Sequence, residues 1–292
     1  MTSSDTTPPV ALTIAGSDSG GGAGIQADLR AFAAFGVHGC TAIAALTAQN
    51  THEVRGVVAT DPGFLREQIE TVLGDLPVAA VKTGMLATAA NVRVVADLAA
   101  AGRLPNLVVD PVMVSSSGSR LLDADAERAY VEELLPHAIV VTPNGREAAA
   151  LTGLDVASVA DQHAAARALL VTGAQWVVVK GGDRLGPTAV DVVLGGGHDA
   201  GLSAAAGFEL SSPRIETVNN HGTGCSFASS IAAQLACGAS PRDAIVTAKD
   251  VIHAAIVRAA GWELGAGHGP IDHLDFAHPL TPLAPPPQRT AP

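Results

Sequence analysis

The chain has 292 residues with 17 basic and 28 acidic side chains, which gives a net charge of −11 when histidine is neutral. Such an acidic chain is a poor candidate for non-specific nucleic-acid binding, although a local positive pocket could hold one small phosphorylated ligand. Apolar residues make up 48% and charged residues 15%, so disorder over most of the length is excluded. Three cysteines are too few for a disulfide framework or a four-cysteine zinc site.

The two ends of the chain differ in composition from the rest. Residues 1–8 and 279–292 are rich in Pro, Ser and Thr and are predicted to be disordered, which leaves one domain over residues 9–278. The first nine residues carry no basic side chain and no long apolar run, so no secretory signal is expected. Charged residues interrupt the most apolar stretches before a membrane-spanning length is reached. We therefore expect a cytoplasmic protein.

Short apolar runs alternate with helical patterns along the chain. Strands are predicted over residues 10–15, 40–46, 78–82, 107–110, 139–142, 176–180 and 189–194. Helices are predicted over residues 24–35, 63–73, 89–101, 124–135, 146–151, 162–172, 223–236 and 241–259. Near-continuous apolar strands separated by helices favour a mostly parallel sheet covered on both faces. The Gly- and Ser-rich stretch 195–220 shows only a weak strand signal, over residues 208–210.

Polar or Gly-rich clusters follow six of the predicted strands. They lie at residues 16–18, 47–50, 82–85, 110–113, 142–144 and 180–183. Because ligands bind at the carboxyl ends of the strands in such sheets, clusters at one edge favour an enzyme site over a structural module.

The first cluster belongs to a Gly-rich loop over residues 16–24 that follows a strand and opens a helix. No lysine follows the glycines, which excludes a Walker A loop. A dinucleotide fingerprint lacks its acidic ribose partner, because no Asp or Glu occurs between Asp28 and Glu53. The remaining interpretations are a loop that approaches a small substrate, with Asp18 as a polar contact, and a tight turn without a ligand.

The segment His221–Phe227 precedes a long uncharged helical stretch. The backbone N–H groups of residues 222–225 would point from the helix N-terminus, a site suited to the charge of a transferring phosphoryl group. A cysteine at that end, Cys225, is expected to have its thiolate favoured. The alternative is a Thr-capped helix with a buried cysteine.

Lysine occurs at only three positions, and two of them end apolar strands. A lysine there is a point charge for phosphate oxygens, an interpretation that placement favours for Lys180 and less clearly for Lys82. The alternative is a surface lysine whose ammonium reaches solvent.

Two carboxylates and one amide also stand at strand ends. Asp110 and Glu147 are candidate Mg²⁺ ligands, although Asn144 and Glu147 alone would make a helix capping box. Gln49 offers a donor and an acceptor that suit an aminopyrimidine edge, or it is an ordinary loop amide. The histidines at 268, 273 and 278 are expected to be solvated in a loop-like tail.

Several phrases, in order, resemble the hydroxymethylpyrimidine/phosphomethylpyrimidine kinases of thiamine biosynthesis, a family within the ribokinase-like superfamily. They are TIAGSDS (13–19), GGAGIQADL (21–29), TAQNT (47–51), VKTGML (81–86), VDPVM (109–113), VTPN (141–144) with Glu147, VKGG (179–182) and HGTGC (221–225). The resemblance implies a three-layer αβα sandwich that uses ATP and Mg²⁺ to phosphorylate a hydroxymethylpyrimidine and then its monophosphate. It also suggests a homodimer.

The resemblance also implies roles for individual residues. Substrate contacts fall on Gln49, Asp18, Gly16, Ala23 and Met85; catalytic roles on Lys180, Gly222, Thr223, Gly224 and Cys225; ATP contacts on Lys180, Asn144, Gly182 and Thr223; and metal binding on Asp110 and Glu147. Many relatives in the wider superfamily carry an aspartate general base where Cys225 stands, so this thiol is expected to act as a base or as part of an anion hole.

The sequence departs from the family pattern at two positions and leaves two rival functions open. Gly20 stands where the family usually has Ser, and Ser116 where many members have Lys. The rivals are a pyridoxal or pyridoxine kinase of the same superfamily, whose substrate is also a hydroxymethyl heteroaromatic, and a non-catalytic pyrimidine-binding protein on the same fold. The latter would have no use for a phosphoryl-transfer apparatus.

Overall fold

The computed structural model describes residues 7–113, 124–182, 186–195 and 206–276. Within these ranges the strands are β1 (Val10–Ser17), β2 (His38–Gln49), β3 (Val54–Ala59), β4 (Val78–Thr83), β5 (Leu107–Val109), β6 (Val140–Val141), β7 (Trp176–Val179), β8 (Thr188–Gly195) and β9 (Ala206–Pro213). The helices are α1 (Gly24–Ala34), α2 (Pro62–Asp75), α3 (Ala89–Ala100), α4 (Ala124–Ala129), α5 (Gly145–Thr152), α6 (Val159–Leu170), α7 (Thr223–Ala236) and α8 (Pro241–Ala259). Most of the two chain ends that are predicted to be disordered lies outside the described residues, namely 1–6 and 279–292. Ser116 lies outside them as well.

One sheet carries all of these strands, in the order β3-β2-β1-β4-β5-β6-β7-β8-β9. Six neighbouring strands in this order are parallel: β2, β1, β4, β5, β6 and β7. The other three, β3, β8 and β9, run antiparallel to their neighbours. Helices α1, α7 and α8 pack on one face and α2, α3, α5 and α6 on the other. The expectation of a three-layer, mostly parallel α/β fold is confirmed.

Apolar residues along the central strands alternate between the two cores. Leu12 and Val81 face one layer of helices, while their neighbours Ala11 and Ala80 face the other. Both cores consist mainly of aliphatic side chains, as the low aromatic content requires. Burial on both faces explains why these strands read as continuous apolar runs.

The antiparallel edges differ from the predicted elements. The β3 strand was not predicted, because five of its six residues are exposed and its sequence shows no apolar alternation. The weak signal over 208–210 belongs to an eight-residue strand, β9, that pairs with β8 along its whole length. The predicted helix 124–135 is interrupted: α4 continues as a π-helical turn over Tyr130–Leu134 and a 3-10 turn over Leu135–His137.

In the part of the chain described, no helix is both long enough and apolar enough to cross a bilayer. The three cysteines are unpaired.

Candidate active site

A cleft of about 680 Å³ opens along the carboxyl ends of the parallel strands. All of the predicted site residues line it: Gly16, Asp18, Ala23, Gln49, Met85, Asp110, Asn144, Glu147, Lys180, Gly182, Gly222, Thr223, Gly224 and Cys225. These residues come from six strand ends and one helix N-terminus, so the sheet topology brings them together. Their roles toward substrate, ATP and metal stay predictions.

Asp18 organises the Gly-rich loop through both carboxylate oxygens. Its Oδ1 accepts from the Gly20 N–H at 2.8 Å, and its Oδ2 accepts from the N–H groups of Gly22 and Ala23 at 3.0 and 2.9 Å. Burial acts to raise the pKa of Asp18, but the hydrogen bond and charge of His221 together with the loop N–H groups hold it below its usual value. The carboxylate is therefore an ionised anchor that shapes the loop.

Two glycines allow close backbone contacts, one between this loop and the segment before α7 and one within the loop itself. Gly222 has a φ of 85°, and a Cβ there would collide with the carbonyl oxygen of Gly22. Gly24 has a φ of 58°, and a Cβ there would collide with the carbonyl oxygen of Gly16. At both positions a side chain is disfavoured for two reasons: the positive φ, and the contact that its Cβ would make with the backbone.

The N-terminus of α7 opens into the cleft. Gly222 is its N-cap and offers no side-chain cap, so the alternative of a Thr-capped helix is wrong. The Thr223 N–H donates to the Asn220 carbonyl at 3.3 Å, and the Ser226 N–H closes the first helical turn on Gly222. Gly224 and Cys225 occupy the second and third helical positions, whose N–H groups have no acceptor within a helix. The anion site predicted from the sequence would use these two N–H groups, and that role stays a prediction.

Lys180 stands beside this helix end. Its Nζ donates to Asp110 Oδ1 at 2.9 Å, and Thr142 Oγ1 donates to the same oxygen at 3.0 Å. Burial alone would lower the pKa of Lys180, but the charges of Asp110 and Glu147 outweigh it and raise the pKa. A Cβ on Gly224 would lie only 3.1 Å from Nζ, so a cation paired with Asp110 adjoins the bare backbone of α7.

The Asn144–Glu147 capping box is present. Asn144 Oδ1 accepts from the Glu147 N–H at 2.9 Å, and Glu147 Oε2 accepts from the Asn144 N–H at 2.8 Å. Glu147 and Asp110 are both buried at the cleft, and both act on the pKa of Lys180.

Two carboxylates of this kind suit Mg²⁺, which commonly keeps several waters and takes its other ligands from substrate phosphates. No group of three His, Cys, Asp or Glu side chains within the described ranges could hold a metal ion without such help. The donor set therefore fits an ion that enters with a nucleotide.

Cys225 departs from the sequence expectation. Burial raises the pKa of its thiol to about 11, and this exceeds the lowering by Lys82 and by the Gly24 N–H group. The expectation that the helix end favours the thiolate is wrong for the free protein, because desolvation together with the charges of Asp28 and Asp110 keeps the pKa raised. The resting group is a neutral thiol.

Lys82 forms a fully buried ion pair, which neither interpretation of this residue anticipated. Its Nζ lies 2.9 Å from both oxygens of Asp28, and neither side chain is exposed. Thr13 Oγ1 donates to the same carboxylate at 2.6 Å, and Ser229 Oγ donates to it at 2.5 Å. The network ties β1, β4, α1 and α7 together close to Cys225, whose pKa the charge of Lys82 acts to lower.

We expect Lys82→Met to lower the free energy of unfolding by about 3–5 kcal/mol, since it leaves the Asp28 carboxylate buried without its cation. Urea denaturation measures this loss. Arg55→Met is the matched control, because it removes an exposed pair with Glu53 and should change stability by about 1 kcal/mol or less. If Lys82→Met lowered the free energy of unfolding by no more than this control, about 1 kcal/mol, the buried pair would be dispensable for stability.

Several cleft residues had no signal in the sequence. Arg214, just after β9, donates to the carbonyl oxygen of Gly182 at 2.7 Å and lines the cleft. Lys249 on α8 pairs with Asp191 at 2.8 Å in the same wall. Their positions depend on how β9 pairs at the edge of the sheet and how α8 packs on one face, which local patterns do not reveal.

The predicted solvated histidines also differ. His273 is buried, lies 2.7 Å from Ser226 Oγ through Nε2 and stacks on Phe276. Burial lowers its pKa to about 4, so the expectation of a solvated side chain is wrong. His268 lines the cleft, and His278 lies outside the described residues.

The fold and cleft define a kinase of the ribokinase-like class. The pyridoxal kinase of Bacillus subtilis, solved with ADP, superposes with a TM-score of 0.81 at 37% identity over 91% of this chain and 98% of its own. The phosphomethylpyrimidine kinase of Clostridium difficile 630 superposes with a TM-score of 0.70 at 36% identity, over 85% of this chain and 99% of its own.

A narrower assignment follows from sequence comparison. The family model described as phosphomethylpyrimidine kinase matches residues 18–272. The hydroxymethylpyrimidine/phosphomethylpyrimidine kinase of Rhizobium meliloti (strain 1021) is 47% identical over 267 residues, which cover 91% of this chain and 97% of that protein. The chain belongs to the phosphomethylpyrimidine kinase family.

Proposed function

We propose that this chain is an ATP-dependent kinase that phosphorylates 4-amino-5-hydroxymethyl-2-methylpyrimidine, and then its monophosphate to the diphosphate, in thiamine biosynthesis. The observation that carries the proposal is the meeting of Gln49, Lys180, Asp110 and the first turn of α7 in one cleft. A pyrimidine-binding protein without catalytic activity would not need the Lys180 ammonium next to the N-terminus of α7, because it transfers no phosphoryl group.

The strand order divides this cleft into two halves. Gly16, Gln49 and Met85 follow or end the neighbouring strands β1, β2 and β4, and a Cβ on Gly16 would meet Met85 Cε at 2.5 Å. The first half therefore offers an apolar floor and one amide, which suits a small heteroaromatic ring.

The second half follows β5, β6 and β7. Asp110, Asn144 and Lys180 follow these strands in that order. Helix α7 packs on β1, β4 and β5, so its N-terminus stands where the two halves meet. The pyrimidine occupies the first half, the ATP phosphates occupy the second, and transfer takes place at α7.

Charge stabilisation is the main work of these residues, since phosphoryl transfer needs little covalent chemistry from a protein. The Gly224 and Cys225 N–H groups and the Lys180 ammonium bind the oxygens of the moving phosphoryl group. Asn144, Gly182 and Thr223 contact ATP. Asp110 and Glu147 would hold Mg²⁺, which would supply positive charge to neutralise the ATP phosphates.

The two steps differ in their need for a base. The substrate of the first step is a primary alcohol, a poor acid, and the thiolate form of Cys225, reached by loss of the thiol proton to solvent, accepts its proton. The nucleophile of the second step is a phosphate that is already anionic and needs no base. A thiol with a raised pKa must lose its own proton before the first step, which makes that step sensitive to pH.

Steady-state kinetics with hydroxymethylpyrimidine and pyridoxine test the assignment. The match to a pyridoxal kinase fold at a TM-score of 0.81 makes that activity the second candidate. We expect a higher kcat/KM for the hydroxymethylpyrimidine, and a higher value for pyridoxine would overturn the choice. Absence of ATP turnover with either compound would support the non-catalytic alternative.

A further inference from the structure

His221 joins the Gly-rich loop to the residue proposed to read the pyrimidine. It lies just before α7, and its backbone is fixed on both sides: its N–H donates to the Gly269 carbonyl at 3.0 Å, and its own carbonyl accepts from the Ile271 N–H at 3.3 Å. The ring is buried against the loop, since a Cβ on Gly22 would collide with it. The ring therefore has little freedom to move.

The Nε2 atom of this ring faces two partners. It lies 2.8 Å from Asp18 Oδ2 and 3.3 Å from Gln49 Nε2. Asp18 is ionised, because its pKa is held below the usual value, and an ionised carboxylate only accepts hydrogen bonds. Nε2 must therefore carry a hydrogen and donate it to Asp18.

A protonated Nε2 cannot accept from the amide of Gln49, so the two nitrogens as placed would be two donors face to face. The oxygen and nitrogen of a glutamine amide exchange places by a half-turn about the terminal bond. With Oε1 toward His221, the amide accepts a share of the Nε2 hydrogen. The NH₂ group then points away from the histidine.

The backbone of Gln49 is held in place by Ser19. Ser19 Oγ donates to the Gln49 carbonyl and accepts from the Gln49 N–H, both at 2.8 Å. The side chain thus starts from a fixed point at the end of β2. His221 decides which end of its amide faces the cleft.

We propose that His221 is a positioning residue for substrate selection: held by Asp18, it orients the Gln49 amide so that the NH₂ group donates to a ring nitrogen of the substrate. The Oε1 lone pair that His221 leaves free can accept from an exocyclic amine on the adjacent carbon. An aminopyrimidine presents this acceptor–donor pair on one edge. Pyridoxine carries a methyl group beside its ring nitrogen and cannot supply the donor.

This inference rests on the proposed function, and a matched pair of variants tests it. His221→Gln places an N–H near the position of Nε2, whereas His221→Met has a similar shape and no donor. We expect His221→Met to raise the KM for the hydroxymethylpyrimidine about tenfold, from the loss of one oriented hydrogen bond, with the KM for ATP unchanged. We expect His221→Gln to stay within about threefold of the unchanged protein.

The ratio of kcat/KM for the pyrimidine to that for pyridoxine separates positioning from loss of structure. We expect His221→Met to lower this ratio, since damage to the fold would lower both values together. His52→Met removes an exposed histidine near the same strand end and should leave the ratio unchanged. Equal constants for the Gln and Met variants at 221 would overturn the proposal.

A measurement on the free protein distinguishes failure of this inference from failure of the proposed function. Nitrogen-15 NMR of histidine-labelled protein, with His221→Gln used to assign the signal, reports which ring nitrogen carries hydrogen. We expect protonated Nε2 at neutral pH, whatever the enzyme phosphorylates. A neutral ring with hydrogen on Nδ1 alone would overturn the proposal.

Discussion

Cys225→Ala is expected to slow the first phosphorylation about 10²–10⁴-fold, the usual contribution of a general base, and the second step much less. The alcohol of the first substrate must lose a proton, whereas the phosphate of the second is already anionic. Single-turnover measurements of each step, with saturating ATP, give the two rate constants separately. Their ratio is the readout, because the binding of ATP is common to both steps.

The raised pKa of this thiol adds a pH dependence. With a pKa of about 11, the thiolate fraction grows about tenfold per pH unit through neutral and mildly alkaline pH. We expect the first step of the unchanged protein to accelerate with pH between about 7 and 9 relative to the second, and Cys225→Ala to abolish that trend.

Cys237→Ala is the matched control for Cys225→Ala. Cys237 lies at the other end of α7, is exposed and is remote from the cleft lining, so its loss should alter neither step. Equal losses in both steps for Cys225→Ala, with a flat pH profile, would assign the thiol to the anion site instead of base catalysis.

Gly224→Ala is expected to lower both phosphorylation rates about 100-fold, because the new methyl group would occupy the space where the phosphoryl oxygens meet Lys180. Its Cβ would lie 3.1 Å from Lys180 Nζ and 3.7 Å from Asp110 Oδ2. The fold should tolerate the change, since Nζ ends a flexible side chain and alanine favours a helix. We expect the free energy of unfolding to stay level or to rise by up to about 1 kcal/mol.

Gly74→Ala separates the effect on the cleft from the effect on helix stability. Gly74 lies in α2, and a Cβ there would meet no atom within 4 Å. Gly74→Ala should gain the same helix propensity as Gly224→Ala, and both phosphorylation rates should stay unchanged. If Gly224→Ala retained full activity in both steps, phosphate would not bind at the first turn of α7.

The helix boundaries that could be predicted from the sequence are those with chemical signals of their own. Helix α7 begins at Thr223, directly after the glycine that caps it, and α8 begins at Pro241 after Ser240, whose side chain accepts from the backbone of the first turn. The edge strand β3 carried no such signal, because neither of its faces is buried. Local sequence patterns reflect interactions between residues that are near in the chain. Strands that are held mainly by pairing with a neighbouring strand, such as β3 and β9, therefore give little or no signal.

The candidate site divides in the same way. Asp110 and Lys180 could be placed together because the carboxyl ends of parallel strands share one edge. The burial that raises the pKa of Cys225 and the pairing of Lys82 with Asp28 depend on neighbours far along the chain. A sequence shows which residues can carry charge, but the solvent around each and the partner it meets are properties of the folded chain.

The contact between Gly222 and Gly22 has a consequence for biosynthesis. The two glycines are separated by 200 positions in the chain, and each passes too close to its partner's loop to allow a methyl group. Asp18 can hold the Gly-rich loop as soon as that loop has been made, but the contact with Gly222 has to wait until the segment before α7 leaves the ribosome. Each newly made molecule therefore completes this junction late in synthesis, and a translation product that stops short of Gly222 would lack it.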